Sequence, residues 1–334
     1  MFVQYKKLKL TKGIKDFKKT DNILISQEMI DYATAYMILN KKIRKIINCV
    51  DQIYRSSGLC LLIDSGIDII FMPKLYFEDF EDEGEVKIYK GYMFYKNILY
   101  KECVPEFKDI KCLYNDFLRN TVHYMSREKE LLNNIKLSGK VLNLSERVII
   151  FSRCRYTRED LLIAKNIIKS YNPTIIAVDG GADIALKHGI KPDVIVGDMD
   201  SVSLKAIEKC DNFLLHCYLS GLCPSDDKIP ELKNKGYISC IGTSEDAALL
   251  YCIKQKVMHI YTIGFHTSVE EFIEKGRSGA SSYLLIRILY SHLITDIKNS
   301  FVNRDYVKFS YVWIAFIIAL YLGFLFTITA GVFK

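Results

Sequence analysis

Three aspartates and a pair of adjacent glycines form the chemically richest stretch of this chain. Val178-Asp179-Gly180-Gly181-Ala182-Asp183 is followed by Pro192-Asp193-Val194-Ile195-Val196-Gly197-Asp198-Met199-Asp200-Ser201. Each run begins with apolar, largely β-branched residues. Asp179 therefore falls just past one strand, and Asp198 and Asp200 just past another. In open α/β sheets, ligands bind outside the carboxyl ends of the strands. Gly180-Gly181 allows close backbone approach at a helix start, where free N–H groups attract anions. Carboxylates gathered there repel one another, by about 1 kcal/mol at ~4 Å in water and about 4 kcal/mol at an effective dielectric of about 20. Mg2+ would relieve that repulsion, because it takes a few carboxylates together with phosphate oxygens. A single Asp after a strand is ordinary turn chemistry. Three of them around paired glycines point to a metal site built from Asp179, Asp198 and Asp200.

Other side chains reach the same sheet edge. Arg153 and Arg155 follow the apolar run Val148-Ile149-Ile150-Phe151, and either one would line the site or lie in solvent. His266 follows Ile260-Tyr261-Thr262-Ile263, where it would contact phosphate, act as an acid, or serve only as a structural hydrogen-bonding group. Arg277 lies in a Gly-rich loop before a helix, placed for a phosphate oxygen or for an ion pair with Glu271 or Glu274. No Walker A sequence, Ser-His-Asp order or Gly-x-Gly-x-x-Gly occurs.

The elements that must hold these residues read as repeated β-α-β units. Val148–Phe151, Thr174–Val178 and Asp193–Val196 are apolar runs typical of strands covered on both faces. Thr157 to Ser170 is a helix capped by Thr157 with Asp160 three residues later, and Asp183 to His188 is a helix stopping at Gly189. This order predicts a Rossmann-like α/β domain with a parallel sheet over residues 146–303. Residues 1–105 read as a smaller α/β domain. Its strands are Asn22–Ile25, Lys45–Val50 and Asp68–Phe71, its helices Gln27–Leu39 and Ser57–Ser65, and Glu85–Tyr100 forms a β-meander. Phe107 to Leu137 has no Pro or Gly and has apolar residues at three- and four-residue spacings. It predicts an amphipathic helix within a linker spanning 106–145.

The motifs bear a resemblance. Asp-Gly-Gly-Ala and Gly-Asp-x-Asp-Ser are similar to the signature of the thiamin pyrophosphokinase catalytic domain. With Asp183 after Ala182 and Met199 between the aspartates, the chain more closely resembles the SteA family, cytokinetic ring proteins of bacteria that contain a pyrophosphokinase-like domain. Gly242-Thr243-Ser244-Glu245-Asp246-Ala247-Ala248-Leu249-Leu250 and the stretch from Gly264 to Ser282 also resemble that family. The resemblance implies catalytic roles for Asp198, Asp200 and Asp246. It implies phosphate or ligand contacts from Gly180, Gly181, Ser201, Thr243, Ser244, His266, Arg277 and Arg153. The pyrophosphokinases have Asp-x-Thr-Asp where this chain has Thr243-Ser244-Glu245-Asp246, so only Asp246 is retained and Glu245 adds negative charge near a triphosphate. Their C-terminal β-domain, which helps to form the thiamin site, is replaced here by Ser281 to Leu293, a short tail and an apolar run.

That run, Tyr311 to Val332, is uncharged. As a helix it would be roughly 33 Å long, enough for a hydrocarbon core of about 30 Å. It predicts a transmembrane helix over 310–332, with Tyr311 and Trp313 at one interface and Arg304 and Lys308 on the cytoplasmic side. The N-terminus has no apolar core of signal-peptide length. The ten cysteines contain no Cys-x-x-Cys pair or zinc spacing and fit a reducing compartment. With 46 basic and 39 acidic residues the net charge is +7, too mild to indicate nucleic-acid binding.

Two functions follow. The first is a single-pass, C-terminally anchored division protein on the cytoplasmic face of the bacterial membrane. Its pyrophosphokinase-like domain would bind a nucleotide or other phosphorylated ligand with Mg2+, and its partners would be membrane lipid, a division protein and further copies of itself. The second is an active Mg2+-dependent, ATP-using thiamin pyrophosphokinase-type transferase, that is, a kinase of the diphosphokinase class. The changes at Thr243 and Glu245 and the missing β-domain favour the first.

Overall fold

A computed structural model of the protein describes residues 2–7, 22–153, 156–223, 225 and 234–298. The apolar run expected to span a membrane and Arg155 both lie outside the described residues. Among the described residues no helix is long and apolar enough to cross a membrane.

The first domain is one sheet with two characters. Strands β1 (Phe2–Lys7), β2 (Asn22–Ile25), β3 (Lys45–Cys49) and β5 (Asp68–Met72) pair in parallel. β6 (Glu83–Tyr89), β7 (Tyr92–Tyr95) and β8 (Ile98–Lys101) continue from β1 as the expected antiparallel meander. A short strand, β4 (Gln52–Tyr54), pairs with β9 (Glu106–Lys108) away from the main sheet. Helices α1 (Tyr32–Asn40) and α2 (Ser57–Asp64) bury Ala35, Ile38 and Leu62 against Ile23, Ile25 and Ile46. The expected helix from Gln27 begins instead at Tyr32. Asp31 caps it, accepting the Thr34 N–H, and the Asn48 side chain holds Gln27 by both its N–H and its carbonyl.

The long helix expected over 107–137 is shorter, because tertiary pairing claims both of its ends. Glu106–Lys108 joins β4, and Asp109 caps a 3-10 turn at Ile110–Leu113. Helix α3 occupies only Tyr114–Leu131. β10 (Lys136–Gly139) then enters the second sheet antiparallel to its neighbour. So α3 is no free linker: its buried Phe117 packs with Phe272 and Ile273 of the second domain.

The second sheet has β10 at one edge. It continues through β15 (Asn234–Ser239), β14 (Asn212–Cys217), β13 (Val194–Gly197), β12 (Thr174–Val178), β11 (Arg147–Phe151), β16 (His259–Ile263) and β17 (Ile294–Asp296), all parallel beyond β10. Helices cover both faces, as expected. Helices α4 (Arg158–Tyr171), α5 (Gly181–Lys187) and α6 (Leu204–Lys209) pack on the side of Ile149, Phe151, Ala177 and Ile195. Helices α7 (Ser244–Lys254) and α9 (Ser281–Tyr290) pack on the side of Val148, Ile150, Ile176 and Val196. Helix α8 (Val269–Glu274) follows β16. The chain steps outward from β11 to β15 and then returns to place β16 beside β11. The order therefore reverses between β11 and β16, the kind of position where a crevice opens.

Candidate functional site

A cleft of about 280 Å³ opens at the carboxyl edge of β11, β12, β13 and β16. Its charged groups come from several strand ends. Asp179, Asp198 and Asp200 come from the ends of β12 and β13. Arg153 comes from the end of β11, and Lys275 and Arg277 follow α8 beyond β16. The two signs interleave: the Arg153 side chain lies against Gly180, where an added Cβ would be 2.8 Å from its Cδ, and its charge acts on the neighbouring Asp179.

Asp179 sits in a strained but well-tied turn. Its φ is +44, in the left-handed region, and its Oδ1 accepts the Met199 N–H at 3.1 Å. Gly197 makes room for it: a Cβ there would lie 2.0 Å from Asp179 Oδ1. Burial first, and the nearby Asp198 charge second, push the Asp179 carboxyl up to about 7, while the Ser244 hydroxyl, the Met199 N–H and Arg153 pull it down. Asp198 and Asp200 are exposed, and Asp198 Oδ1 accepts the Asp200 N–H at 3.1 Å. Asp183 lies outside this group, accepting the Ser203 N–H and hydroxyl and so tying α5 to the start of α6.

The expected three-carboxylate metal set is not assembled. Among the described residues no three His, Cys, Asp or Glu side chains converge on a point that could hold a metal ion. What the structure does bring together is Asp179 and Asp198, two like charges close enough to perturb each other. That donor set fits Mg2+ arriving with a phosphate ligand, since Mg2+ keeps waters and uses one or two carboxylates plus phosphate oxygens.

The glycines also differ from expectation. The Gly180 N–H donates to Ser201 Oγ at 3.0 Å, so that N–H is not open to an anion, while the Ser201 O–H, at the cleft, keeps its own proton to donate. A Cβ at Gly181 would lie 2.2 Å from the Phe151 carbonyl, so Gly181 is required for packing of α5 on β11.

Thr243 caps α7 through a reciprocal pair. Thr243 Oγ1 accepts the Asp246 N–H at 3.2 Å, and Asp246 Oδ2 accepts the Thr243 N–H at 2.9 Å. Ser282 Oγ also donates to Asp246 Oδ2 at 2.9 Å. Asp246 is fully buried, lies outside the cleft that holds Asp179, and has its carboxyl raised to about 6, mainly by burial. Thr243, Ser244 and Glu245 do line the cleft.

Glu245 is not an extra charge turned on the ligand. It is buried, and its Oε1 accepts from His266 Nδ1 at 2.9 Å and from the Ser152 hydroxyl. Burial alone would raise its carboxyl, but His266 and Ser152 together hold it below its ordinary range. His266 is thereby oriented at the cleft wall, with its ring tilted 5.8 Å from that of Phe272. Arg277 is exposed at the mouth and does not take the ion pairs that sequence allowed: Glu271 binds Lys298, and Glu274 binds Ser57.

Ser152, Phe272 and Lys275 also line the cleft, and sequence reasoning missed them as site residues. Ser152 was detectable as the first residue past a buried strand. Lys275 has no local signal, since only the packing of α8 turns it inward.

A family model described as thiamin pyrophosphokinase, catalytic domain, matches residues 165–215. The matched stretch runs from within α4 to within β14. It contains Asp179, Gly180, Gly181, Asp198, Asp200 and Ser201, and stops short of Thr243 to Asp246 and of His266. Over that stretch the chain is similar to that domain. No curated protein matches the chain.

Proposed function

We propose that this protein binds a nucleotide or closely related phosphorylated ligand, accompanied by Mg2+, in the cleft at the carboxyl edge of its second sheet. The observation that supports this most is the convergence of three carboxylates, Asp179, Asp198 and Asp200, and three cations, Arg153, Lys275 and Arg277, on a single cleft. Phosphate oxygens fit Arg153, Lys275 and Arg277, which supply charge-assisted donors. Asp179 and Asp198 would hold Mg2+, which would supply charge neutralisation between carboxylates and phosphates. The similarity to the pyrophosphokinase catalytic domain over 165–215 supports the same ligand class.

The protein acts, on this reading, as a SteA-like bacterial division factor tethered to the cytoplasmic face of the membrane by its C-terminal apolar run, recruiting partners according to ligand state. The division role rests on the motif resemblance, and the tether rests on the uncharged run Tyr311 to Val332. The second reading, a working Mg2+-dependent pyrophosphokinase, is favoured only by the match that contains the acidic pair. Against it, the motif around Thr243 has lost an acid, and Glu245 is committed to His266 and Ser152.

Thermal unfolding of the full-length protein in detergent, with ATP and with or without Mg2+, tests the binding. Ligand at about 100 times Kd should add about 2.7 kcal/mol. No shift with ATP, ADP or tripolyphosphate would sink the reading. With ATP and thiamin no AMP should form, and thiamin-dependent AMP release that disappears in Asp200→Asn would promote the enzyme. The full-length protein should pellet with membranes, resist carbonate extraction and, when tagged, concentrate at division sites.

A further inference from the structure

The first domain grips the segment that brings Lys275 to the cleft. Helix α8 and the residue after it make contacts to three elements outside the second sheet. Glu270 accepts from the Tyr114 hydroxyl at the start of α3. Glu274 accepts the Ser57 N–H and hydroxyl, both at 2.6 Å, at the start of α2. Lys275 Nζ donates to Asp31 Oδ2 at 2.7 Å, at the start of α1. A fourth contact runs from Arg153 Nη1 to Met37 Sδ at 3.9 Å. Two of the three basic side chains of the cleft, Lys275 and Arg153, thus touch the first domain.

Asp31 divides its two oxygens between two tasks. Oδ1 accepts the Thr34 N–H and caps α1, while Oδ2 holds Lys275. The carboxylate is mostly shielded, with 12% of its side chain exposed against 29% for Lys275. A free lysine side chain has about 2 kcal/mol of rotamer entropy to lose when it is fixed. The Asp31 bond removes much of that freedom before a ligand arrives. An ammonium has three donors, so one can stay on Asp31 while another meets a phosphate oxygen.

We propose that Asp31 is a positioning residue for the cleft: from the first domain it holds Lys275 where a phosphate oxygen of the ligand is bound. The first domain is then part of the binding site. This rests on the phosphate reading above, and the test separates the two.

The probe is inorganic tripolyphosphate with Mg2+, titrated calorimetrically into the full-length protein in detergent. Asp31→Asn keeps an acceptor for the α1 cap, since Asn caps as well as Asp, and removes only the negative charge that faces Lys275. It should weaken binding by about five- to tenfold, the loss of one well-placed charged contact. Lys275→Gln should weaken it at least as much. In the double variant, Asp31→Asn should add nothing to Lys275→Gln, because it acts only through that lysine. If the two losses multiply, Asp31 acts by general loosening and the proposal fails. If Asp31→Asn binds as tightly as wild type or tighter, the proposal fails while the phosphate reading stands. If wild type does not bind the probe, both fall together. Should Asp31→Asn not fold, Asp31→Glu, which keeps the charge but shifts it by one methylene, runs through the same cycle with the same outcomes.

Discussion

Glu245 Oε1 lies 2.9 Å from His266 Nδ1 and also accepts the Ser152 hydroxyl. One buried carboxylate at the start of α7 therefore joins residues that follow β11 and β16, the two strands between which the chain order reverses. Ser152 donates to Glu245 and not to His266, so the three do not form a serine-to-histidine relay. They form a brace behind the cleft.

Glu245→Gln should weaken this brace. A hydrogen bond to a charged group contributes about 1.5–3 kcal/mol, so unfolding free energy at pH 7 should fall by about 2 kcal/mol. The Glu245 carboxyl is held below its ordinary 4.5 in the folded protein, so its stabilising effect is present above that pH. It is lost as pH falls through the lower folded value. Urea midpoints should differ most near neutrality and converge in acid. Equal midpoints at pH 7 would refute the brace.

Asp246→Asn should act with the opposite sign. The Asp246 carboxyl is raised from 3.8 to about 6 in the folded state, chiefly by burial. Its contribution to stability is complete below pH 3.8 and is lost as pH rises through about 6. At about 1.36 kcal/mol per unit, wild type should lose about 3 kcal/mol relative to Asp246→Asn between about pH 3 and about pH 7. Parallel stability–pH curves for the two proteins would contradict this.

Gly197→Ala should damage both fold and site. Its φ is +143, outside the range that alanine adopts readily, and the new methyl would collide with Asp179 Oδ1 at 2.0 Å. Strain of this kind costs of order 1–3 kcal/mol, and the displaced carboxylate adds to it. The variant should melt several degrees lower and lose Mg2+-dependent ATP binding. A variant that melts and binds like wild type would show that the Asp179 turn adjusts freely.

Asp198→Asn and Asp200→Asn should each weaken Mg2+-dependent ATP binding without unfolding the domain, because both side chains are exposed. Asp198→Asn has a second effect. The Asp198 charge helps to raise Asp179 to about 7, so the Asp179 contribution to stability is lost as pH rises through that value. Removing the charge should stabilise the ligand-free protein by about 1 kcal/mol above pH 7. Calorimetric binding and melting curves, with and without Mg2+, check both effects. Unchanged binding in both variants would leave the Asp198-Met199-Asp200 turn with a structural role alone.

Much of this protein was written locally. Apolar runs placed β2, β3, β5, β11, β12, β13 and β16, because a strand buried on both faces needs consecutive apolar residues. Thr157 with Asp160 marked the start of α4 through a cap that closes within one turn. That Asp179, Asp198 and Asp200 follow strand ends was legible because strand ends are local, and their gathering along one cleft follows from parallel β-α-β order. The limits of α3 were not legible, since Glu106–Lys108 and Lys136–Gly139 are drawn into β-ladders by partners far along the chain. Nor were the two pairings that shape the cleft. Ser152 and Glu245 are 93 residues apart, and Asp31 and Lys275 belong to different domains. Whether Glu245 faces a ligand or a histidine depends on β16 lying beside β11. Whether Lys275 faces solvent or the cleft depends on α8 docking against the caps of α1 and α2. Strand order and helix docking are set by which apolar faces bury together, and residue spacing along one segment does not encode them.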